Sequence, residues 1–307
     1  TCNRYSFMEQ TMITGLLYIT VVFIWGSTWL AVKYQIGIVS PEISVAYRIG
    51  ISSFLMFAWS MARGKSLRFN FSEHLYMMLQ GSLIFSTNFF LFYLAAESIT
   101  TGLIAVIFST ASAMTILLNS MLLRRPPPSR FLLGAALGAT GISLIFSHEL
   151  VGFSIQSTIA MGLLLSFGGT FCFSLGSIVS ARNRIAGFSA CGNSAWAMLY
   201  GTGLLCVFAL LRGDQFAFDF AFPYVASLAY LSIIGSVVAF AAYFALLTRI
   251  KAEQAAYSTV LFPVVALTLS TFFEGYQWTV TAVLGVLLTL AGNVIVLKSP
   301  SVTKSSS

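Results

Sequence analysis

The run from Leu132 to Ile142 reads Leu-Leu-Gly-Ala-Ala-Leu-Gly-Ala-Thr-Gly-Ile, and the run from Val283 to Asn293 reads Val-Leu-Gly-Val-Leu-Leu-Thr-Leu-Ala-Gly-Asn. Gly134 and Gly141 of the first run stand 151 residues before Gly285 and Gly292 of the second. Further pairs keep nearly the same spacing: Gly26-Ser27 with Gly176-Ser177, and Tyr93 with Tyr243, each 150 apart. The chain therefore repeats itself once. Neither quoted run holds a charge.

The surroundings of these runs are equally apolar. Of 307 residues, 58% are apolar, 15% aromatic and only 8% charged, whereas a soluble domain carries about 25% charge. So few charges cannot cover a water-exposed surface, which excludes a soluble enzyme and a separate aqueous domain. Ten apolar stretches cover 12–32, 41–62, 74–96, 101–123, 130–147, 156–180, 190–211, 222–247, 253–273 and 278–297. Backbone groups in a bilayer core must hydrogen-bond within their own segment, so each stretch reads as a helix. The fifth is the shortest, and the link 97–100 is barely a turn.

Each half, 12–147 and 156–298, thus holds five spans. Five is odd, so the second half enters the membrane upside down relative to the first. The fold expected is an all-α integral membrane protein of ten transmembrane helices in two inverted five-helix repeats. Such repeats, related by an in-plane pseudo-two-fold, are the architecture of alternating-access carriers with a site near the midplane.

The net charge of +7 is a matter of sidedness, not of nucleic-acid binding. Starting with the N-terminus in the cytoplasm, thirteen basic residues fall on the inner side: Arg4, Arg63, Lys65, Arg68, Arg124, Arg125, Arg130, Arg182, Arg184, Arg249, Lys251, Lys298 and Lys304. Only Lys33 and Arg212 fall outside, and Arg48 lies within the second span. This positive-inside bias predicts both termini in the cytoplasm and puts the Asn70-Phe71-Ser72 sequon on the inner side.

Cys2, Cys172, Cys191 and Cys206 have no CxxC spacing and read as small hydrophobes, with no disulfide frame. His74 and His148 fall at opposite membrane faces, so no metal site is expected. Met8 or Met12 is expected to be the start, and the first span, with no small-residue cleavage site, to stay as a helix.

The first span reads Phe23-Ile24-Trp25-Gly26-Ser27-Thr28-Trp29-Leu30-Ala31-Val32-Lys33, followed by Pro41 and Arg48. The ninth carries Leu261-Phe262-Pro263-Val264-Val265-Ala266-Leu267 and ends in Phe272-Phe273-Glu274-Gly275. Over about residues 12–298 the chain resembles the EamA-type bacterial permeases of the drug/metabolite transporter superfamily. It departs from their pattern at Ile49, where the family carries Phe after the arginine. It departs again at Glu274-Gly275, where Gly-Glu is more usual. The first half lacks a counterpart of Pro263 and has Ser109, Thr110 and Ser112 there instead. The resemblance implies a ten-helix permease of the bacterial inner membrane that moves small metabolites, often exporting amino acids or drugs.

Arg48 is the one charge well inside a span, and a charge there costs a few kcal/mol unless it faces protein or a watery cavity. Its depth puts Glu42 and Glu97 within reach as ion-pair partners, and the alternative reading is an anchor for a substrate carboxylate. No span centre carries an acid, so facilitated diffusion or exchange is expected over a proton antiport through an embedded carboxylate. The mid-depth candidates for substrate binding are Trp25, Arg48, Asn88, Ser109, Ser112, Phe171, Ser236, Phe240 and Phe262. Aromatic walls with sparse polar groups suit neutral, amphipathic solutes, although Ser and Asn also join helices in bilayers. Pro263 is the candidate hinge, and Gly134-x-x-x-Gly138 reads as a helix-packing pair. The expected function is export of small metabolites such as amino acids by alternating access, as a monomer or homodimer, with no cofactor and no catalytic residue. Multidrug or lipophilic-cation efflux is the alternative. A membrane enzyme would need a His or carboxylate cluster, and a channel would need charged rings or a carbonyl filter.

Overall fold

The computed structural model describes residues 2–124, 126–127, 129–147, 158–247, 249–250 and 258–297. Arg125, His148, Glu149, Lys251, Glu253, Lys298 and Lys304 lie outside these. The described chain forms α1 (Cys2–Lys33), α2 (Pro41–Ala62), α3 (Phe71–Ala96), α4 (Thr101–Leu122) and α5 (Ser129–Ile145). The second half forms α6 (Thr158–Ile185), α7 (Ala190–Arg212), α8 (Phe222–Ala229 continuing through Tyr230–Val238 and Ala239–Leu247), α9 (Ser258–Phe273) and α10 (Val280–Leu297). Eight are long and apolar enough to cross a membrane, while Arg130–Ile145 and Ser258–Phe273 are shorter apolar helices.

Local chemistry sets the helix ends. Pro41 opens α2 in the first turn, where its missing N–H is no loss. The Asn70 amide donates to the Glu73 carboxylate at 2.6 Å, closing the start of α3. Gly213 stops α7 at a positive φ of 78°.

The helix pairs obey the repeat. Helix α1 packs on α8 and α9, as its repeat mate α6 packs on α3 and α4. Helix α2 meets α8 as α7 meets α3, and α2–α7, α4–α9 and α5–α10 each join a helix to its own mate. An in-plane two-fold relating inverted halves generates this set of pairs.

Glycines make the closest of these contacts possible. A Cβ on Gly134 would stand 2.7 Å from the Gly292 carbonyl oxygen, and one on Gly141 would stand 2.5 Å from that of Gly285. Each repeat glycine thus faces the mate of the other. Gly138 differs from expectation, because a Cβ there would meet nothing within 4 Å. Gly134 and Gly141, two turns apart, make the closest approaches on α5, and Gly138 meets Gly292 through its backbone nitrogen, which would lie 2.8 Å from a Cβ on Gly292.

Two stretches are wound as π-helix, Gly81–Thr87 in α3 and Tyr230–Val238 in α8. They occupy matching positions of the two repeats. The Asn88 amide bonds back to Leu83 and the Ala239 amide to Ile234. π turns are rare and concentrate at functional sites. Helix α4 is interrupted instead at Ser109 and Thr110, between Thr101–Phe108 and Ala111–Leu122.

Burial runs opposite to a soluble protein. Ser44, Ser52, Ser60, Ser166, Thr170, Ser174, Ser258 and Thr289 are fully buried, while Leu16, Ile19 and Phe23 form an exposed stripe on α1. With lipid outside, small hydroxyl residues serve between helices and large apolar residues face outward.

Candidate functional site

Trp25 and Trp29 lie one turn apart on α1 and therefore share a face. Thr28 Oγ1 donates to the Trp25 carbonyl at 2.7 Å, and Ser27 Oγ shares a 2.6 Å hydrogen bond with Tyr230 in the π segment of α8. A Cβ on Gly26 would lie 3.0 Å from the Phe262 carbonyl oxygen. The Trp-Gly-Ser run thus lets α1 approach α9 beside Pro263, which sits inside α9.

Both tryptophans gather rings from other helices. Trp25 meets Phe240 and Tyr243 of α8 at centroid distances of 6.0 and 5.1 Å. Trp29 meets Phe92 of α3 at 5.2 Å and Phe108 of α4 at 5.5 Å, and lies nearly parallel to Phe262 of α9 at 6.3 Å. Phe108 also contacts Phe173 of α6 at 4.7 Å. Six helices, three from each half, contribute to one aromatic centre. Trp25, Trp29, Phe108, Phe173 and Phe240 are only half-buried in it.

Arg48 stands on α2 at 5% exposure, its guanidinium 4.3 Å from the Phe89 ring centroid and beside the Tyr93 hydroxyl. Its backbone is clamped: Ser52 Oγ donates to the Arg48 carbonyl at 2.8 Å and Ser232 Oγ of the α8 π segment donates at 3.3 Å. Neither expected carboxylate reaches it. Glu42 pairs with Arg212 at 3.0 Å, and Glu97 is exposed at the end of α3.

The other sequence-derived candidates are dispersed. Asn88 donates to the Gly169 carbonyl at 2.9 Å and joins α3 to α6. Ser109 accepts from Asn293 of α10 at 2.8 Å and donates to the Val106 carbonyl at 2.6 Å, so its hydroxyl is spent on the interruption of α4. Ser112 is half-buried just beyond that break. Ser236 donates to Leu231 within the π segment at 3.0 Å. Phe171, 44% exposed, shares the outward stripe of α6 with Met161, Leu164 and Phe167. Trp25, Phe240 and Phe262 come together; Phe171 does not join them.

Several residues of the site escaped the sequence reading. Trp29 was accessible from its spacing of four from Trp25. Phe92, Phe108 and Phe173 were not, because nothing in an all-apolar helix marks which Phe faces inward. At the ends of the bundle, Glu274 accepts from the Thr101 amide at 3.1 Å and Thr101 Oγ1 at 2.7 Å, accepts from Ser270, and pairs with Lys33 at 3.8 Å. This ties α1, α4 and α9. At the opposite end, Asn183 and Asn193 each donate to Gln80 at 2.9 Å, tying α6 and α7 to α3.

Inverted repeats that meet around a partly open aromatic centre define a membrane transporter. Residues 12–147 and 160–298 each match the EamA-like transporter family, and the chain belongs to it. Among its relatives is the uncharacterized transporter YoaV of Bacillus subtilis, 22% identical over 275 residues, which span 89% of this chain and 93% of that protein. An uncharacterized transporter of Archaeoglobus fulgidus is 25% identical over 279 residues, 91% of this chain and 95% of its own. The uncharacterized inner membrane transporter YedA of Escherichia coli is 22% identical over 270 residues, 88% of this chain and 85% of its own. A solved crystal structure shares the fold with a TM-score of 0.65 at 18% identity, over 92% of this chain and 95% of that one.

Proposed function

We propose that the protein exports small amphipathic metabolites, amino acids among them, across a bacterial inner membrane by rocking its two halves about the aromatic centre. The observation that carries this reading is the origin of the rings around Trp25 and Trp29. Helices α3 and α4 supply Phe92 and Phe108, and α6, α8 and α9 supply Phe173, Phe240 and Phe262. A cluster on the seam between halves changes its composition when the halves rock, so solute held there is passed from one side to the other.

The excess of basic residues toward the other end supports an outward-facing Lys33 end. On that assignment the Glu274 cluster is the outer closure, and export requires it to release α1 from α4 and α9. Pro263 is the hinge, since α9 lacks one backbone hydrogen bond there and α1 contacts the neighbouring Phe262 carbonyl. Catalysis is not part of this reading: His74 shares a 2.8 Å hydrogen bond with Tyr200, and no group of three or more His, Cys, Asp or Glu gathers among the described residues.

Counterflow in proteoliposomes tests it. Labelled phenylalanine is expected to exchange saturably against internal unlabelled solute, and Trp29→Ala to depress that exchange. Flux that rises linearly with concentration and ignores the Trp29 change would refute a carrier built on this centre.

A further inference from the structure

The charge balance of the interior is unequal. The Arg48 side chain makes no ion pair with any described residue, and its Nε is fully buried without a hydrogen-bond partner. Tyr93, at 0% exposure, sets its hydroxyl beside the guanidinium, and no acceptor stands within hydrogen-bond distance of that hydroxyl. The Ser52 and Ser232 hydroxyls are both directed at the Arg48 carbonyl and do not serve its side chain. A buried cation is costly unless an opposite charge joins it.

The repeat shows that this charge is not needed for packing. Under the 150-residue offset Arg48 falls on Met198, which is 1% exposed at the matching point of α7. Methionine fills the equivalent place without a charge. Arg48 is therefore a departure from the two-fold.

No carboxylate is left for a cation to use at this depth. Glu42 and Asp214 pair with Arg212, Glu274 caps Thr101, Glu73 closes the Asn70 turn, and Asp219 accepts from the Ala221 amide. Glu97 is exposed. The remaining acids, Glu9, Glu149 and Glu253, fall at or beyond span ends in the sequence.

Phe89, beneath the guanidinium, packs on the same hydrophobic cluster as two rings of the aromatic centre. Half-buried Phe89, Phe173, Tyr230 and Phe240 pack on the same cluster as Tyr93 and Ile49. Of these, Phe240 touches Trp25 and Phe173 touches Phe108.

We propose that Arg48 and Tyr93 form an anion site that takes the carboxylate of an aryl or alkyl monocarboxylic acid, with no counterpart for an ammonium group. The guanidinium offers paired N–H donors to the two carboxylate oxygens, the Tyr93 hydroxyl offers a third, and the apolar remainder lies on the rings. This rests on the aromatic centre being the transport site and names the class of solute it prefers. A cationic drug meets like charge there, and an amino acid gains nothing from its ammonium group.

The test compares 3-phenylpropionate with its neutral amide, with phenylethylammonium, with phenylalanine and with chloride, by binding to the purified full chain in nanodiscs. The acid is expected to bind the wild type about 10- to 100-fold more tightly than the amide, the range for charge-assisted hydrogen bonds to a buried donor. Phenylalanine is expected to bind no better than the acid, and the ammonium worst. Arg48→Met, the repeat's own residue, should erase the preference for acid over amide, and a melting temperature near that of the wild type reports that the variant is folded. Tyr93→Phe should reduce the preference without erasing it. Equal binding of acid and amide to the wild type overturns the anion site and leaves the aromatic centre standing. Acid binding that survives Trp29→Ala but is lost in Arg48→Met upholds the anion site and removes the aromatic centre. Chloride that protects as well as the acid, in competition with it, reassigns the site to an inorganic anion and overturns the organic-acid class. Binding of neither acid nor amide overturns both.

Discussion

Glu274, at the end of α9, caps the first turn of α4 through Thr101, accepting from its hydroxyl at 2.7 Å and its amide at 3.1 Å. The carboxylate thereby faces the positive end of a helix dipole as well as Lys33. Removing its charge in Glu274→Gln is expected to cost about 1–2 kcal/mol, the range of a lost charged cap. Thr101→Val should cost somewhat less. Thermal or denaturant unfolding of both single variants and the double variant checks the coupling, because residues that share one network lose less together than their sum.

The glycines of α5 are predicted to separate into two kinds. Gly138→Ala should be neutral or stabilising by up to about 1 kcal/mol, since a helix interior favours alanine and the added methyl meets open space. Gly141→Ala should destabilise, since its methyl would press on the Gly285 carbonyl and the Thr289 hydroxyl. Melting temperatures of the two variants in one detergent decide this.

Gln80, Asn183 and Asn193 form a buried amide triad. Gln80→Met alone strands Asn193 Nδ2 and takes one of two acceptors from Asn183 Nδ2, and should cost about 1–3 kcal/mol, the penalty for unsatisfied buried polar groups. Converting all three to apolar residues should cost less than the single change. Unfolding measurements on the single and triple variants compare them directly.

Solute binding is predicted to depend on Trp29 and not on Phe171. Trp29→Ala removes the ring that meets Phe92, Phe108 and Phe262, and affinity for an aromatic solute should fall about tenfold or more, given what aromatic pairs and buried ring area contribute. Trp29→Phe should restore part of it. Phe171→Ala, on the outward stripe of α6, should leave binding at the wild-type value. Calorimetric titration of the three variants measures the contrast.

The sequence held much of this fold because a bilayer constrains every residue of a span in the same way. Each apolar run had to be a helix, and the matched glycines had to recur where the halves pack. The Trp25-Gly26-Ser27 run was legible for the same reason, since the close approach of α1 to α9 admits no side chain at Gly26. The site was less legible. Asn88 and Ser109 had the right depth, but depth does not say whether a polar group faces solute or bonds a neighbouring backbone, and both do the latter. Phe171 failed to join the centre because α6 buries its Ser166-Thr170-Ser174 face and turns Phe171 outward, and depth alone carries no rotation.

The sequence by itself determined the class, the ten spans, the inversion of the halves and the presence of one charge at depth. These follow from hydropathy, chain length and an odd number of spans, which are properties of the chain taken in order. Only the tertiary structure decided what surrounds that charge. It paired Glu42 with Arg212, set Arg48 over Phe89 without a carboxylate, and wound matching stretches of α3 and α8 as π-helix. Such choices depend on helix rotation and on contacts across about 40 to 200 residues of chain, for instance Arg48 with Phe89 and with Ser232. Neither depth nor local periodicity encodes a rotation angle when every face of a helix is apolar.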